Sequence, residues 1–554
     1  MSPRNPGARL AALLLVATLS CPPMRSAAPV RFLSFTYTGR DPVYGAPLPA
    51  GHYRNPVLAG FYPDPDICRV GADYYLINST FAYFPGIPVF HSRDLVNWTQ
   101  VGNAIDRPGQ LNYAGLGVSR GIFAPALSYH DGIFYVVCTH VDGGGNFVIT
   151  ARDPAGPWSD PAWLGFDGID PSLFFDGDSA WIVNNGPPPG GRSLYEGHRA
   201  IWIQRFDART LKLLGPRSVI VNGGVRMADH PQWIEGPHLL KEDGWYYLIC
   251  AEGGTAEGHS EVVFRSRAPD GPFEAGPVNP ILTQRDLPGD RPNPVTCTGH
   301  ADLVMTPEGK WWAVFLGCQP YLPGTYNTGR ETFMLPVEWK GGWPVILAQG
   351  RPVGLMPASP GGASLAAGPV PHTGNFTWTD DFRGPGLALP WMGLRGLPRF
   401  ELGRQGLLLA PATRGLESAA TPAFLAHRVQ HAHFTAETTL EIPPRGVSAG
   451  IAVFQNETHY FLWHFADDDG GKAVVLEIDD GTGRRVLSSS PAGQGTATLV
   501  VKVDGGHCTF SVKTRGHRSR GYAREGGYDA TILSTRAAGG FVGSVVGPCA
   551  RLTP

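Results

Sequence analysis

Hydrophobic and polar positions repeat five times along the first two thirds of the chain in one layout: a short apolar strand, a turn, then an aromatic strand. The five segments are DPDICRVGADYYLI from Asp64, APALSYHDGIFYVV from Ala124, DPSLFFDGDSAWIV from Asp170, EGPHLLKEDGWYYLI from Glu235 and HADLVMTPEGKWWAV from His300. Turn residues such as His130-Asp131-Gly132 and Glu242-Asp243-Gly244 fall where each hairpin has to reverse. Further strands follow each hairpin, as in VFHSRDLVNWTQV, NFVITARDPAGPW and EVVFRSRAPDGPF. The spacing leaves room for a four-stranded sheet with loops in each repeat, and five such sheets set radially predict a five-bladed β-propeller. The pattern places this domain at residues 29–350.

The alternation lapses in a Pro/Gly/Ala-rich stretch containing PASPGGASLAAGPVP, which reads as a linker over 351–377. Period-2 alternation returns in AHFTAETTLEI, AGIAVFQNETHYFLWHF and ATLVVKVDG, which predicts a C-terminal β-sandwich over 378–554. The fold class is therefore all-β. The 554 residues accommodate two domains, and 73 Gly, 52 Pro and 11% aromatics suit strands joined by tight turns.

A net charge of -2 supplies no attraction for nucleic acid or an anionic membrane, so neither is expected as a partner. No oligomeric state follows from the pattern. At the N-terminus, Arg4 and Arg9 precede the apolar run Leu10–Leu19 and the small residues Ser26–Ala28, which predicts a signal peptide over 1–28 and a secreted or periplasmic protein. Cys21 offers an alternative lipoprotein anchor. The eight cysteines form no Cys-x-x-Cys zinc spacing; most read as buried thiols, with Cys508 and Cys549 as a candidate pair.

Aligning the repeats on Tyr75, Tyr135, Ile182, Tyr247 and Trp312 makes their first positions Asp64, Ala124, Asp170, Glu235 and His300. In a propeller the innermost strands begin at one mouth of the central channel, so three carboxyl groups from three blades converge there. Glycosidic hydrolysis needs one protonated and one ionised carboxyl group, and a third raises the acid's pKa by repulsion while burial acts in the same direction. A lone Asp-Pro is ordinarily a turn or cap residue; three acids at equivalent positions point to a glycosidase, with a sugar-binding or metal-binding propeller as alternatives. Asp66 competes with Asp64, because alternation places both on one face.

The segments NPVLAGFYPDPDICRVGADYYL, STFAYFPGIPVFHSRDLVNW, GIFAPALSY, GIDPSLFFD, WIEGPHLLK, AEGGT, GHADLV and GRETFMLPVEW resemble glycoside hydrolase family 43, in its two-domain β-xylosidase and α-L-arabinofuranosidase form. The stretch from Trp378 onward resembles the concanavalin-like sandwich that accompanies those enzymes. The resemblance implies Asp64 as general base, Asp170 as the residue that tunes and orients the acid, and Glu235 as general acid in an inverting mechanism. It implies substrate-binding roles for Phe81, Phe84, Phe123 and Arg330, with Phe123 replacing the tryptophan common in relatives. An ion pair with Glu331 or another acid is the structural alternative for Arg330. His238 reads as a packed group that positions Glu235. No cofactor is required; the resemblance allows a structural calcium ion beside His300. The expected substrate is a xylan or arabinan oligosaccharide attacked from its end, with endo action or non-catalytic carbohydrate binding as the alternatives.

Overall fold

A computed structural model of the chain describes residues 28–361, 368, 370–514, 520–521 and 527–553. The signal-peptide reading and Cys21 lie outside the described residues. Five antiparallel sheets follow one another from Asp66 to Pro336, their main strands in chain order from the axis outward, and a two-stranded hairpin over 338–345 follows the fifth. The inner strands are Asp66–Val70, Gly121–His130, Ile169–Asp176, Glu235–Glu242 and Thr296–Met305. These are the apolar halves of the five repeats, and the aromatic halves form the second strands.

The ring closes where residues 53–62 run beside the third strand of blade five. The Val57 N–H donates to the Thr332 carbonyl at 2.8 Å, the Thr332 N–H to Leu58 at 3.1 Å, and the Asn55 side-chain amide to Met334 at 2.8 Å. The expected linker is partly pinned to this closure: the Asn55 N–H donates to Leu355 and the Ala59 N–H to His372.

The C-terminal domain packs a nine-stranded sheet against an eight-stranded one. One boundary differs from expectation. Strand Val30–Gly39, which the pattern assigned to the propeller, lies inside the nine-stranded sheet and pairs with both Phe376–Asp380 and His433–Glu441. Its apolar side chains Phe32, Phe35 and Tyr37 are fully buried there among Trp378, Trp391 and Phe434. Alternation reveals that a strand has a buried face, not which sheet supplies the cover. The two candidate disulfide partners sit in opposite sheets, Cys508 in the nine-stranded and Cys549 in the eight-stranded one, and every described cysteine is free.

The two domains share a core. Tyr83–Phe84, between two strands of blade one, pairs with Met392–Leu394 at the edge of the eight-stranded sheet. Phe61, Phe81, Tyr83 and Phe84 pack in one cluster with Leu394, Phe424, Phe454 and Val542. Polar groups fasten the same seam: the buried Arg428 guanidinium donates to the Phe61 carbonyl at 2.8 Å and stacks over Tyr62, and the Arg395 N–H donates to Ala82 at 2.7 Å. Among the described residues no helix is long and apolar enough to cross a membrane.

Candidate active site

Every inner strand is turned at one equivalent residue near the channel mouth. Asp64, Ala124, Asp170, Gly236 and His300 all adopt left-handed backbone, with φ of 50°, 35°, 53°, 54° and 52°. In four blades the pairing register slips across this residue, between Phe123 and Ala126, Ile169 and Ser172, Glu235 and His238, and Gly299 and Asp302. Such a bulge re-aims a side chain that strict alternation would have placed elsewhere. The pairing also revises the repeat alignment: Trp181, not Ile182, is the residue opposite Phe174, and Gly236, not Glu235, is equivalent to Asp64. Glu235 therefore enters the mouth one residue earlier than the other acids. Glycine is favoured beside it, because a Cβ at Gly236 would crowd the His300 ring at 3.0 Å on top of the left-handed backbone.

The three acids are buried, at 4%, 5% and 8% exposure for Asp64, Asp170 and Glu235, yet their surroundings push them apart. Burial raises the Asp64 pKa, but the Arg330 guanidinium at 3.3 Å and the Ser79 hydroxyl, which donates at 2.6 Å, outweigh it and hold the carboxyl below its ordinary range. His300 is pushed down to about 4 by burial, so it is neutral at neutral pH and the guanidinium carries most of the effect. The Ala124 N–H donates to the Ser79 oxygen at 2.7 Å, aiming the hydroxyl at Asp64; the one uncharged repeat position thus acts through its backbone.

Asp170 is raised to about 7, by burial and then by the charge of Asp64, against a 3.1 Å hydrogen bond from the Gly236 N–H. Glu235 is raised well above the ordinary carboxylate range, by burial first, then by Asp170 and Asp64. One mouth therefore holds a carboxylate kept ionised and a carboxylic acid kept protonated, the pairing that acid–base hydrolysis uses.

Phe81, Phe123 and Arg330 come together at Asp64, and the sandwich completes the group. Phe541, from the loop before strand Val545–Leu552, stacks on Phe81 with centroids 6.2 Å apart and meets Phe123 edge-on at 5.7 Å. Its carbonyl accepts a hydrogen bond from Arg330 at 3.3 Å, and its N–H donates to the Ser119 hydroxyl at 2.9 Å. Gly543 lets this loop in, since a Cβ there would meet the Thr328 carbonyl at 2.3 Å. Arg330 pairs with Asp64 and not with Glu331, which instead accepts from the Gly60 N–H at 2.9 Å. Phe84 is placed differently: it packs on Tyr113 and pairs with Gly393 of the sandwich. Phe541 and Ser79 escaped the sequence reading. Ser79 stands inside the quoted segment STFAYFPG and could have been singled out as a hydroxyl beside Phe81. No local signal marks Phe541.

Two residues further along each inner strand lies a second ring. Asp66, His238 and Asp302 each offer a ligand atom within 4.8 Å of the others. His238 faces these two carboxylates, at 3.4 and 3.7 Å, and does not contact Glu235 as expected. The Leu127 N–H donates to Asp66 at 2.7 Å and the Ile67 N–H to Asp302 at 3.0 Å, tying neighbouring blades together. Burial and then the charge of Asp302 raise Asp66, so it lacks the cationic partner that keeps Asp64 ionised. Two carboxylates and an imidazole fit a hard divalent cation. His300 belongs to the ring above and is not part of this set.

The family description "Glycosyl hydrolases family 43" matches residues 53–344, and "Beta xylosidase C-terminal Concanavalin A-like domain" matches 379–553. The chain is 49% identical over 296 residues to a xylosidase/arabinosidase of Butyrivibrio fibrisolvens; the match covers 53% of this chain and 56% of that protein, about half its length. It is 34% identical over 514 residues to a non-reducing end alpha-L-arabinofuranosidase of Bacteroides ovatus, covering 89% and 90% of the two chains. A GH43_12 crystal structure retrieved from a capybara gut metagenome superposes with a TM-score of 0.89 at 40% identity, covering 95% of this chain and all of that one.

Phe541→Ala removes an aromatic wall of the pocket while leaving the backbone carbonyl that holds Arg330. It is expected to lower kcat/KM by about 10–100-fold, the worth of one buried aromatic contact, with the melting temperature little changed. Wild-type kinetics in this variant would show that the Phe541 ring has no part in the pocket.

Proposed function

The chain belongs to family 43 of the glycosyl hydrolases, and from that premise we propose that it is an inverting, exo-acting glycosidase that releases terminal β-D-xylosyl or α-L-arabinofuranosyl residues from hemicellulose oligosaccharides. The observation that carries this reading is one buried mouth in which Arg330 pairs with Asp64, holding its pKa down, while burial and the two neighbouring acids push Glu235 up. Asp64, ionised beside Arg330, takes a proton from the attacking water. Glu235 gives its proton to the leaving glycosidic oxygen as the bond to the anomeric carbon breaks. Asp170, between them in protonation, resists a second negative charge nearby and so keeps the proton on Glu235 until transfer.

Exo action is supported by the wall of Phe81, Phe123 and Phe541, in which a sandwich loop closes over a site that endo cleavage would need open along its length. The export pattern at the N-terminus supports action outside the cytoplasm. A calcium ion held by Asp66, Asp302 and His238 would neutralise the two carboxylates beneath the pocket; its role is structural, and the proton transfers belong to Asp64 and Glu235.

Glu235→Ala is expected to cut hydrolysis of natural oligosaccharides roughly 10²–10⁴-fold while sparing aryl glycosides whose leaving group departs without a proton. Equal loss on both substrates would remove Glu235 from the acid role. Asp64→Asn abolishes both activities, and retained activity would transfer the base role to Asp66. For the ion, calcium added after EDTA treatment should raise the melting temperature of the native protein and not that of Asp302→Asn. An equal rise in both would place the ion elsewhere.

A further inference from the structure

The segment that delivers Glu235 carries an aromatic ring, and the residue before strand Ala200–Asp207 sets a cation over it; neither proton transfer uses them. Trp233, two residues before the acid, is held in left-handed backbone at φ 54°, a conformation a bulky side chain adopts only against strain. Its ring is 37% exposed, whereas Ile234 beside it is fully buried. The Trp233 N–H donates to the Gly197 carbonyl at 2.8 Å, and the Nε1 and Cδ1 edge of the indole lies against Gly197 and Gly254, where a Cβ would come within 3.1 and 3.5 Å of it. The guanidinium of Arg199 lies over the ring, 5.0 Å from its centre.

Arg199 is half-buried, yet among the described residues its guanidinium makes no hydrogen bond and no ion pair. Its charge is nevertheless close enough to lower the pKa of the Glu235 carboxyl. In the same loop as Gly197, Tyr195 stacks on His198 and His230, at 4.7 and 4.8 Å, and its hydroxyl donates to the Gly223 carbonyl at 3.2 Å. A strained, partly exposed indole carrying a guanidinium with no acceptor among the described residues is thus set two residues before the group that protonates the leaving oxygen. Two residues of chain span at most about 7 Å, so whatever is attached to that oxygen lies within reach of the ring.

We propose that Trp233 and Arg199 form the leaving-group subsite: the indole takes the apolar C–H face of the sugar ring whose oxygen Glu235 protonates, and the guanidinium donates to that ring's hydroxyls. The proposal rests on Glu235 being the acid. It assigns the enzyme a preference for a sugar, over a small alkyl group, as the departing alcohol. Indole and guanidinium together suit a ring with one apolar face and a rim of hydroxyls.

The test compares kcat/KM for the disaccharide and for the methyl glycoside of the terminal sugar, because methanol has no ring to stack. Trp233→Ala is expected to lower the disaccharide value by about 10–100-fold and to leave the methyl glycoside unchanged. Trp233→Phe, which keeps a ring and the fold, should restore most of the difference, and Arg199→Met should lower the disaccharide value about tenfold more than the methyl glycoside value, the worth of one charged hydrogen bond. Equal losses on both substrates, or no loss on either, overturn the subsite while leaving the glycosidase reading intact. Wild-type protein that cleaves neither substrate overturns the glycosidase reading and the subsite with it.

Discussion

Five inner strands reach the channel mouth and each turns one residue into the left-handed region before continuing as regular strand. A non-glycine residue in that conformation costs on the order of 1–3 kcal/mol, and four of the five positions bear the cost. The return is directional. A strand that alternated without interruption would point successive side chains to opposite faces of its blade; the left-handed turn instead aims Asp64, Asp170 and His300 into a common space. The same turn at Gly236 leaves room for His300 and presents an N–H to Asp170. The placement of the acids and the division of protons among them both start from this ring of turned residues.

Crowding three carboxyl groups into one buried mouth would ordinarily neutralise them all. A single guanidinium breaks the symmetry. Arg330 touches Asp64 and not Asp170 or Glu235, so one acid is held ionised and its charge raises the other two. Arg330 is itself held by the carbonyl of Phe541, which belongs to the other domain. The sandwich therefore reaches the chemistry through one hydrogen bond and one ring, and the shared core around Phe61, Phe81 and Phe424 keeps that loop in register with the propeller.

The propeller, its five blades and the three acids were legible in the sequence because each repeat pairs an apolar strand with an aromatic one across a recognisable turn. The contributions that were not legible depend on what meets what. Strand Val30–Gly39 alternates like any half-buried strand, and nothing in its pattern names the sheet that receives it. Phe541 lies hundreds of residues from Asp64, in a Gly-rich loop without periodicity. Glu235 was found by its motif but placed one residue out of register, since a hairpin count cannot see a bulge. Phe84 reads like Phe81 in sequence, yet the chain turns between them and gives one to the pocket and the other to the sandwich edge. His238 stands in the same motif as Glu235 but, three residues along the strand, belongs to a deeper ring.

Surroundings, not residue type, decide which carboxyl group holds the proton. A 13C NMR titration of the side-chain carboxyl groups, assigned through single replacements of Asp64, Asp170 and Glu235, reads this directly. Asp64 should titrate below its ordinary range and Glu235 well above it, and Asp170→Asn should move the Glu235 titration to lower pH by removing a neighbouring negative charge. Glu235 titrating at its ordinary value, or below Asp64, would contradict the account.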